Sequence, residues 1–319
     1  MRTKRPEWAA IRAQMTLPVF CAPMFLVSGV ELVVEACRAG ISGSFPAANC
    51  RELATYDAWM AEVTSRVAAL KAADPAARIA PFAANLVTHR TNPRFEQDLE
   101  TILKYRPPIV ITALGSPQRV VEPVHAYGGL VIADVNSVTL ARKAADCGVD
   151  GLALVASGSG GHTGHFSPFA LVPAIRRWWD GAIVLGGAIG DATGVRAAEV
   201  LGADFAYVGT RFIPTPESLA PAGHKRMIVE STMDDLIVSN SFSGAHASWL
   251  KPSIVAAGYD LATLKPRLGY QFKGQLGDEP KPWKGLFSAG QGIDMIDREQ
   301  PVAEIVAELR RDYEALRAA

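Results

Sequence analysis

Eight short apolar runs, each bounded by Gly, Pro or Asn and separated by helical patterns, fill the first two-thirds of this chain. Repeated strand–helix alternation of this kind favours a parallel sheet covered by helices on its outer face. The runs are 17–23 (LPVFCAP), 41–45 (ISGSF), 79–86 (IAPFAANL), 108–114 (PIVITAL), 129–135 (GLVIADV), 150–157 (DGLALVAS), 182–187 (AIVLGG) and 204–209 (DFAYVG). A helix after the first run is expected to close at Gly40, an amphipathic helix spans 51–71, and Asn136 or Ser137 opens the helix after the fifth. Eight such units in about 215 residues match the count and size of a (β/α)8 barrel, whereas doubly wound sheets usually have fewer strands. The expected fold class is therefore α/β: a (β/α)8 TIM barrel with a smaller, mostly helical C-terminal domain or lid.

The strand period is lost after the eighth run. Residues 1–214 are read as the barrel and 215–285 as a mostly helical lid or substrate domain. Residues 286–319 are read as a segment that returns to the barrel and ends in the helix VAEIVAELRRDYEALRAA. No repeat other than the strand–helix unit is visible.

Composition narrows the function classes. Of 319 residues, 49% are hydrophobic and 20% charged, which suits a packed globular protein. Lys plus Arg equals Asp plus Glu at 32 each, so no global field gathers polyanions, and nucleic acid is not an expected partner. The basic start MRTKRPEWAAIRAQM runs into no apolar region, and no stretch approaches the roughly 20 apolar residues of a membrane span. A soluble cytoplasmic protein that acts on a small molecule is expected. Cys21, Cys37, Cys50 and Cys147 form no C-x-x-C pair, and His162 with His165 lack a third ligand at useful spacing, so no metal site is expected.

In barrels the reactive groups sit on loops after the strand C-termini. Gly186 and Gly187 end the seventh run and open a helix, while Gly209 and Thr210 end the eighth. Such loops either grip a phosphate through exposed N–H groups and a helix N-terminus, or merely turn tightly. After the sixth run, Gly158, Gly160 and Gly161 precede His162. This backbone can wrap a flat ligand while presenting an imidazole as general base; the alternative is a loop histidine bonded to backbone. Asn85 suits a heterocycle edge or caps a turn, and Met24, after Ala22 and Pro23, packs on a ring or belongs to the core. Gln291 lies in the glycine-rich SAGQG, and His246 is read as structural or as part of a lid surface.

Taken together, LPVFCAPM, AANL, GSGGHTGH, LGGAIGD, LGADFAYVGTRFIPTPES and SAGQG resemble the nitronate monooxygenase family, once grouped as 2-nitropropane dioxygenases. That family of FMN-dependent barrels includes flavin-type enoyl-acyl-carrier-protein reductases. The resemblance implies that Ala22, Pro23, Met24, Asn85 and Gly161 line FMN. It further implies that Gly186, Gly187, Gly209 and Thr210 cradle the FMN phosphate, that Gln291 makes a late contact, and that His162 removes the α-proton of a nitroalkane. Gly158 and Ser159 stand where the family more often has Glu and Ala. If that glutamate orients the loop or tunes the histidine, its absence weakens His162 as a base. The resemblance implies an FMN-dependent monooxygenase that turns alkyl nitronates into a carbonyl compound and nitrite with O2. The alternatives are a reductase of quinones or enoyl thioesters, with NAD(P)H as a transient reductant of the flavin, and a catalytically idle flavin-binding barrel.

Overall fold

The computed structural model describes residues 3, 5–267, 269 and 285–318. All eight runs form strands. They are β1 (Val19–Cys21), β2 (Ser44–Pro46), β3 (Ala83–Val87), β4 (Ile109–Ala113), β5 (Leu130–Val135), β6 (Gly151–Val155), β8 (Ala182–Gly186) and β9 (Phe205–Val208); the short β7 (Gly161–His162) lies outside this series. Neighbours pair in parallel in chain order, and β9 returns to β1 with Phe20 opposite Tyr207. A parallel bridge from Phe20 to Ser42 joins β1 to the residues before β2, so the ring closes as a (β/α)8 barrel.

The helices around the ring are α2 (Val30–Ala39), α3 (Leu53–Ala73), α4 (Phe95–Tyr105), α5 (Gln118–His125), α6 (Val138–Asp146), α7 (Pro168–Arg176) and α8 (Ala192–Leu201). Local signals set their ends. Gly40 stops α2 with φ 88°, and Ser137 caps α6 by accepting from the Leu140 N–H at 3.2 Å. The C-terminal helix α11 (Val302–Ala318) packs its buried Val302, Ile305, Val306 and Leu309 with residues of α2 and α8.

The barrel interior is filled with side chains. Phe20, Ala83, Ile109, Ile111, Ile132, Ala153, Val184 and Phe205 form one buried cluster. The first helix, α1 (Pro6–Ala13), closes the amino-terminal end of the ring. Its Trp8 is fully buried, packs on Phe205 with ring centroids 5.7 Å apart, and donates from Nε1 to the Asp150 carbonyl at 3.0 Å.

The excursion after β9 is less helical than the sequence suggests. It contains α9 (Ala222–Glu230) and α10 (Lys251–Ala256), and also the antiparallel pair β10 (Leu236–Ser239) and β11 (Ala247–Leu250). The two strands went unread because four residues leave too short an alternation to read. What makes them a sheet is a third strand from the barrel loops: β11 pairs with β7, Ala247 opposite His162 and Ser248 opposite Gly161. Val27, Ile213, Ile228, Leu250 and Ile293 form the apolar cluster joining the excursion to the barrel loops. Much of the Pro- and Lys-rich stretch up to residue 285 lies outside the described residues.

Candidate active site

Strand alternation determines the floor of the site. Side chains two residues beyond the buried interior cluster point inward at the carboxyl end of each strand. These are Ala22, Pro46, Asn85, Ala113, Asp134, Val155, Gly186 and Tyr207, and all eight line one cavity of about 1050 Å³. Five carry no polar side-chain atom. The polar three are Asn85, whose amide donates to the Ile111 carbonyl at 3.2 Å, with Asp134 and Tyr207.

The loop after β1 forms one wall and is braced from below. Asn49 donates to the Met24 and Ser28 carbonyls at 3.0 and 2.7 Å and accepts from the Leu26 N–H. The Ser28 hydroxyl accepts from the Met24 N–H at 2.9 Å. Left-handed backbone collects at this cavity: Leu26, Leu114 and Ala188 have φ near 60° without being glycine, and all three line it. Such strain persists where surrounding structure over-determines it, commonly at functional sites.

Glycines let three loops meet. A Cβ on Gly160 would come within 2.7 Å of the Gly290 nitrogen, and one on Gly187, at φ +135°, within 2.6 Å of the Ser157 carbonyl. Backbone bonds seal the junction: the Ala188 and Gln291 N–H groups both donate to the Gly158 carbonyl, and the Gly290 N–H donates to the Thr210 hydroxyl at 2.9 Å. These glycines therefore serve loop-to-loop packing and leave a recess edged by Gly186, Gly187, Gly209 and Thr210, all on the cavity wall. Asp191 caps α8 by accepting from the Gly194 N–H, so part of that helix end is already satisfied internally.

The structure brings together Ala22, Pro23, Met24, Asn85, Gly161, His162, Gly186, Gly187, Gly209 and Thr210. Gln291 is exposed at the start of a short 3-10 turn, between Gly290 and Gly292, which line the cavity. His162 Nε2 is inaccessible to solvent, and burial pushes the imidazole pKa down to about 4. Neutral imidazole thus prevails at ordinary pH. His224, stacked on Phe287 at 4.5 Å and bonded to the Ser288 carbonyl, is likewise pushed to about 4 by burial. His165 and His246, exposed and edge-to-face at 4.7 Å, also line the cavity.

Sequence reading missed Asp134 and Tyr207. A lone carboxylate near the carboxyl end of an otherwise apolar strand, GLVIADV, was the available signal. Burial pushes the Asp134 carboxyl up to about 7, partly offset by the Tyr207 hydroxyl, and burial raises the Tyr207 phenol well above its usual range.

The residues fit a flat, phosphate-bearing flavin: a mainly apolar floor with a few polar edges, a glycine-walled recess at the ends of β8 and β9, and orphaned buried polar atoms on Asp134 and Tyr207.

A profile of the nitronate monooxygenase family matches residues 12–312. The chain is 29% identical to a nitronate monooxygenase of Paraburkholderia phytofirmans, over 67% of this chain and 63% of that protein. It is 27% identical to a (3aS,4S,5R,7aS)-5-hydroxy-7a-methyl-1-oxo-octahydro-1H-indene-4-carboxyl-CoA dehydrogenase of Rhodococcus jostii, over 71% and 60% respectively. The aligned region spans 49% to 63% of the length of the first curated relatives. FabK from Thermotoga maritima superposes over 100% of this chain and 98% of its own with TM-score 0.80 at 22% identity, a likeness of fold. Among the described residues no helix is long and apolar enough to cross a membrane.

Proposed function

We propose, on the premise that the chain belongs to the nitronate monooxygenase family, that it is an FMN-dependent oxidoreductase converting alkyl nitronates or nitroalkanes, with O2, to a carbonyl compound and nitrite. The observation that carries this reading is the placement of His162, its Nε2 shut off from solvent, in the same cavity as the glycine-walled recess. Gly186, Gly187, Gly209 and Thr210 would hold the phosphate, while Ala22, Pro23, Met24, Asn85 and Gly161 would line the ring. FMN, when bound, supplies the electron transfer between organic anion and dioxygen.

The chain supplies position and proton handling. The His162 backbone is paired with β11, which fixes where the residue leaves the cavity wall. Neutral at physiological pH, it can take the α-proton of a nitroalkane or donate its N–H to an anionic nitronate. A low pKa makes it a weak base by itself. The nitronate formed beside it favours the protonated ring and so assists transfer. The apolar floor excludes water from the carbanion.

A second reading is favoured by one observation: the cavity continues past Leu114 and Pro117 to Leu140 and the exposed Lys143. That lobe suits a longer, anionic substrate such as an acyl thioester, reduced at the expense of NAD(P)H. Absorption spectra of the protein before and after FMN addition test the shared premise. Oxygen uptake with a preformed nitronate is expected under the first reading; anaerobic bleaching of the flavin by NADPH or NADH is expected under the second.

A further inference from the structure

We propose that Asp134, with Tyr207 beside it on the cavity floor, is the proton-holding group of this site, keeping its proton beneath a bound ring and exchanging it as the charge above changes. The inference rests on the proposed flavin site and adds to it a group that neither motif nor loop spacing marks.

The case begins with placement. Leu130, Ile132 and Asp134 occupy successive inward positions of β5; the first two belong to the apolar interior and the third opens onto the cavity. Phe205 and Tyr207 repeat the pattern on β9. Among the described residues, Asp134 Oδ1 and the Tyr207 hydroxyl have no hydrogen-bond partner. The hydroxyl is near enough to favour the ionised carboxylate, although the two form no hydrogen bond. A carboxyl so placed cannot ionise cheaply, since charge without hydrogen bonds in an apolar setting is strongly disfavoured.

Among the described residues the surroundings offer it no buried counter-charge. The flanking strands β4 (IVITA) and β6 (GLALV) carry no ionisable side chain. Across the barrel, Tyr207 and, behind it, Cys21 are held neutral by burial. On the cavity wall His162 and His224 are neutral for the same reason. Lys143, His165 and His246 are exposed residues at the rim. Asp134 therefore faces apolar wall and whatever fills the cavity. Its raised pKa of about 7 and the lowered one of His162 leave the carboxyl as the group poised to change charge near neutrality.

A ring laid over Asp134 removes its remaining water and penalises the carboxylate further. Binding then takes up a proton at pH above the free group's pKa, and affinity falls as pH rises. The test measures FMN affinity by fluorescence quenching from pH 7 to 9, where the flavin phosphate is already ionised, and records infrared spectra of the FMN-free protein. Wild type should lose about tenfold in affinity over that range, the equivalent of one pKa unit. Asp134→Asn should lose almost none. In Tyr207→Phe, which removes the group favouring ionisation, the loss should begin at higher pH. The FMN-free wild type should show the carbonyl stretch of a protonated carboxyl at pH 6, fading by pH 9 and missing in Asp134→Asn. Equal pH dependence in wild type and Asp134→Asn, or no such band, overturns the proposal while leaving the flavin reading standing. A band without any FMN binding supports the protonated carboxyl and overturns the flavin reading instead.

Discussion

His162 and Ala247 face each other across an antiparallel pair, so the backbone that carries the imidazole is positioned by a strand that the barrel itself does not contain. Ser248→Pro, in the central strand of that three-stranded sheet, should unseat His162 while leaving the recess intact. A loss of kcat/KM of about 10²-fold is expected, the scale of a small misplacement of a reacting group, with the flavin spectrum retained. Parallel loss of bound flavin would show that the sheet supports the barrel rather than the histidine.

Replacing His162 with Asn separates proton removal from oxidation. Turnover of neutral nitroalkanes should fall by roughly 10²- to 10⁴-fold, the usual contribution of a general base, and that of preformed nitronates far less. Steady-state oxygen uptake on both substrate forms decides it. Equal losses would remove His162 from the role of base.

The titrating groups give stability a pH window. His162 and His224 have folded pKa values of about 4, below the ordinary 6.5, so the unfolded chain binds more protons and stability is lost as pH falls from 6.5 towards 4. Each contributes on the order of 3 kcal/mol at the low end if it stays neutral. Asp134, raised to about 7, acts oppositely: stability falls as pH rises from 3.8 towards 7. Urea midpoints at pH 7, 5.5 and 4.5 should decline, and His224→Gln should flatten the decline.

Gly187→Ala puts a Cβ within 2.6 Å of the Ser157 carbonyl at a backbone angle that side chains rarely adopt. The loops at the recess must then part. FMN affinity should weaken by about tenfold or more, given a strain of some 1–3 kcal/mol. Unchanged affinity for FMN but not for riboflavin would argue against a phosphate in this recess.

Asp204, before β9, is buried and accepts from Arg176 Nη2 at 2.6 Å and from the Ile183 N–H at 3.0 Å. Asp204→Ala takes the carboxylate from a guanidinium that keeps the carbonyls of Gly202, Trp179 and Gly181, and should cost about 3–5 kcal/mol. Calorimetry would register this as a lowered Tm.

The barrel was legible because its signal is local and repeated. Runs such as PIVITAL and AIVLGG are almost wholly apolar, as expected of strands covered on both faces, and the caps at Gly40 and Ser137 are single-residue signals. The glycine loops and His162 were legible as loops beyond strand ends. What the sequence concealed depends on long-range pairing. The β10–β11 hairpin joins β7, whose residues lie 85 or more positions before their partners in β11, and no periodicity in SNSFSGAHASW announces it. Asp134 and Tyr207 meet only because β5 and β9 lie on one closed ring.

Trp8 and α1 stopper the far end of the barrel. Under the proposed function, traffic is thereby confined to the opposite rim: reductant and reoxidant would both approach over the strand tips.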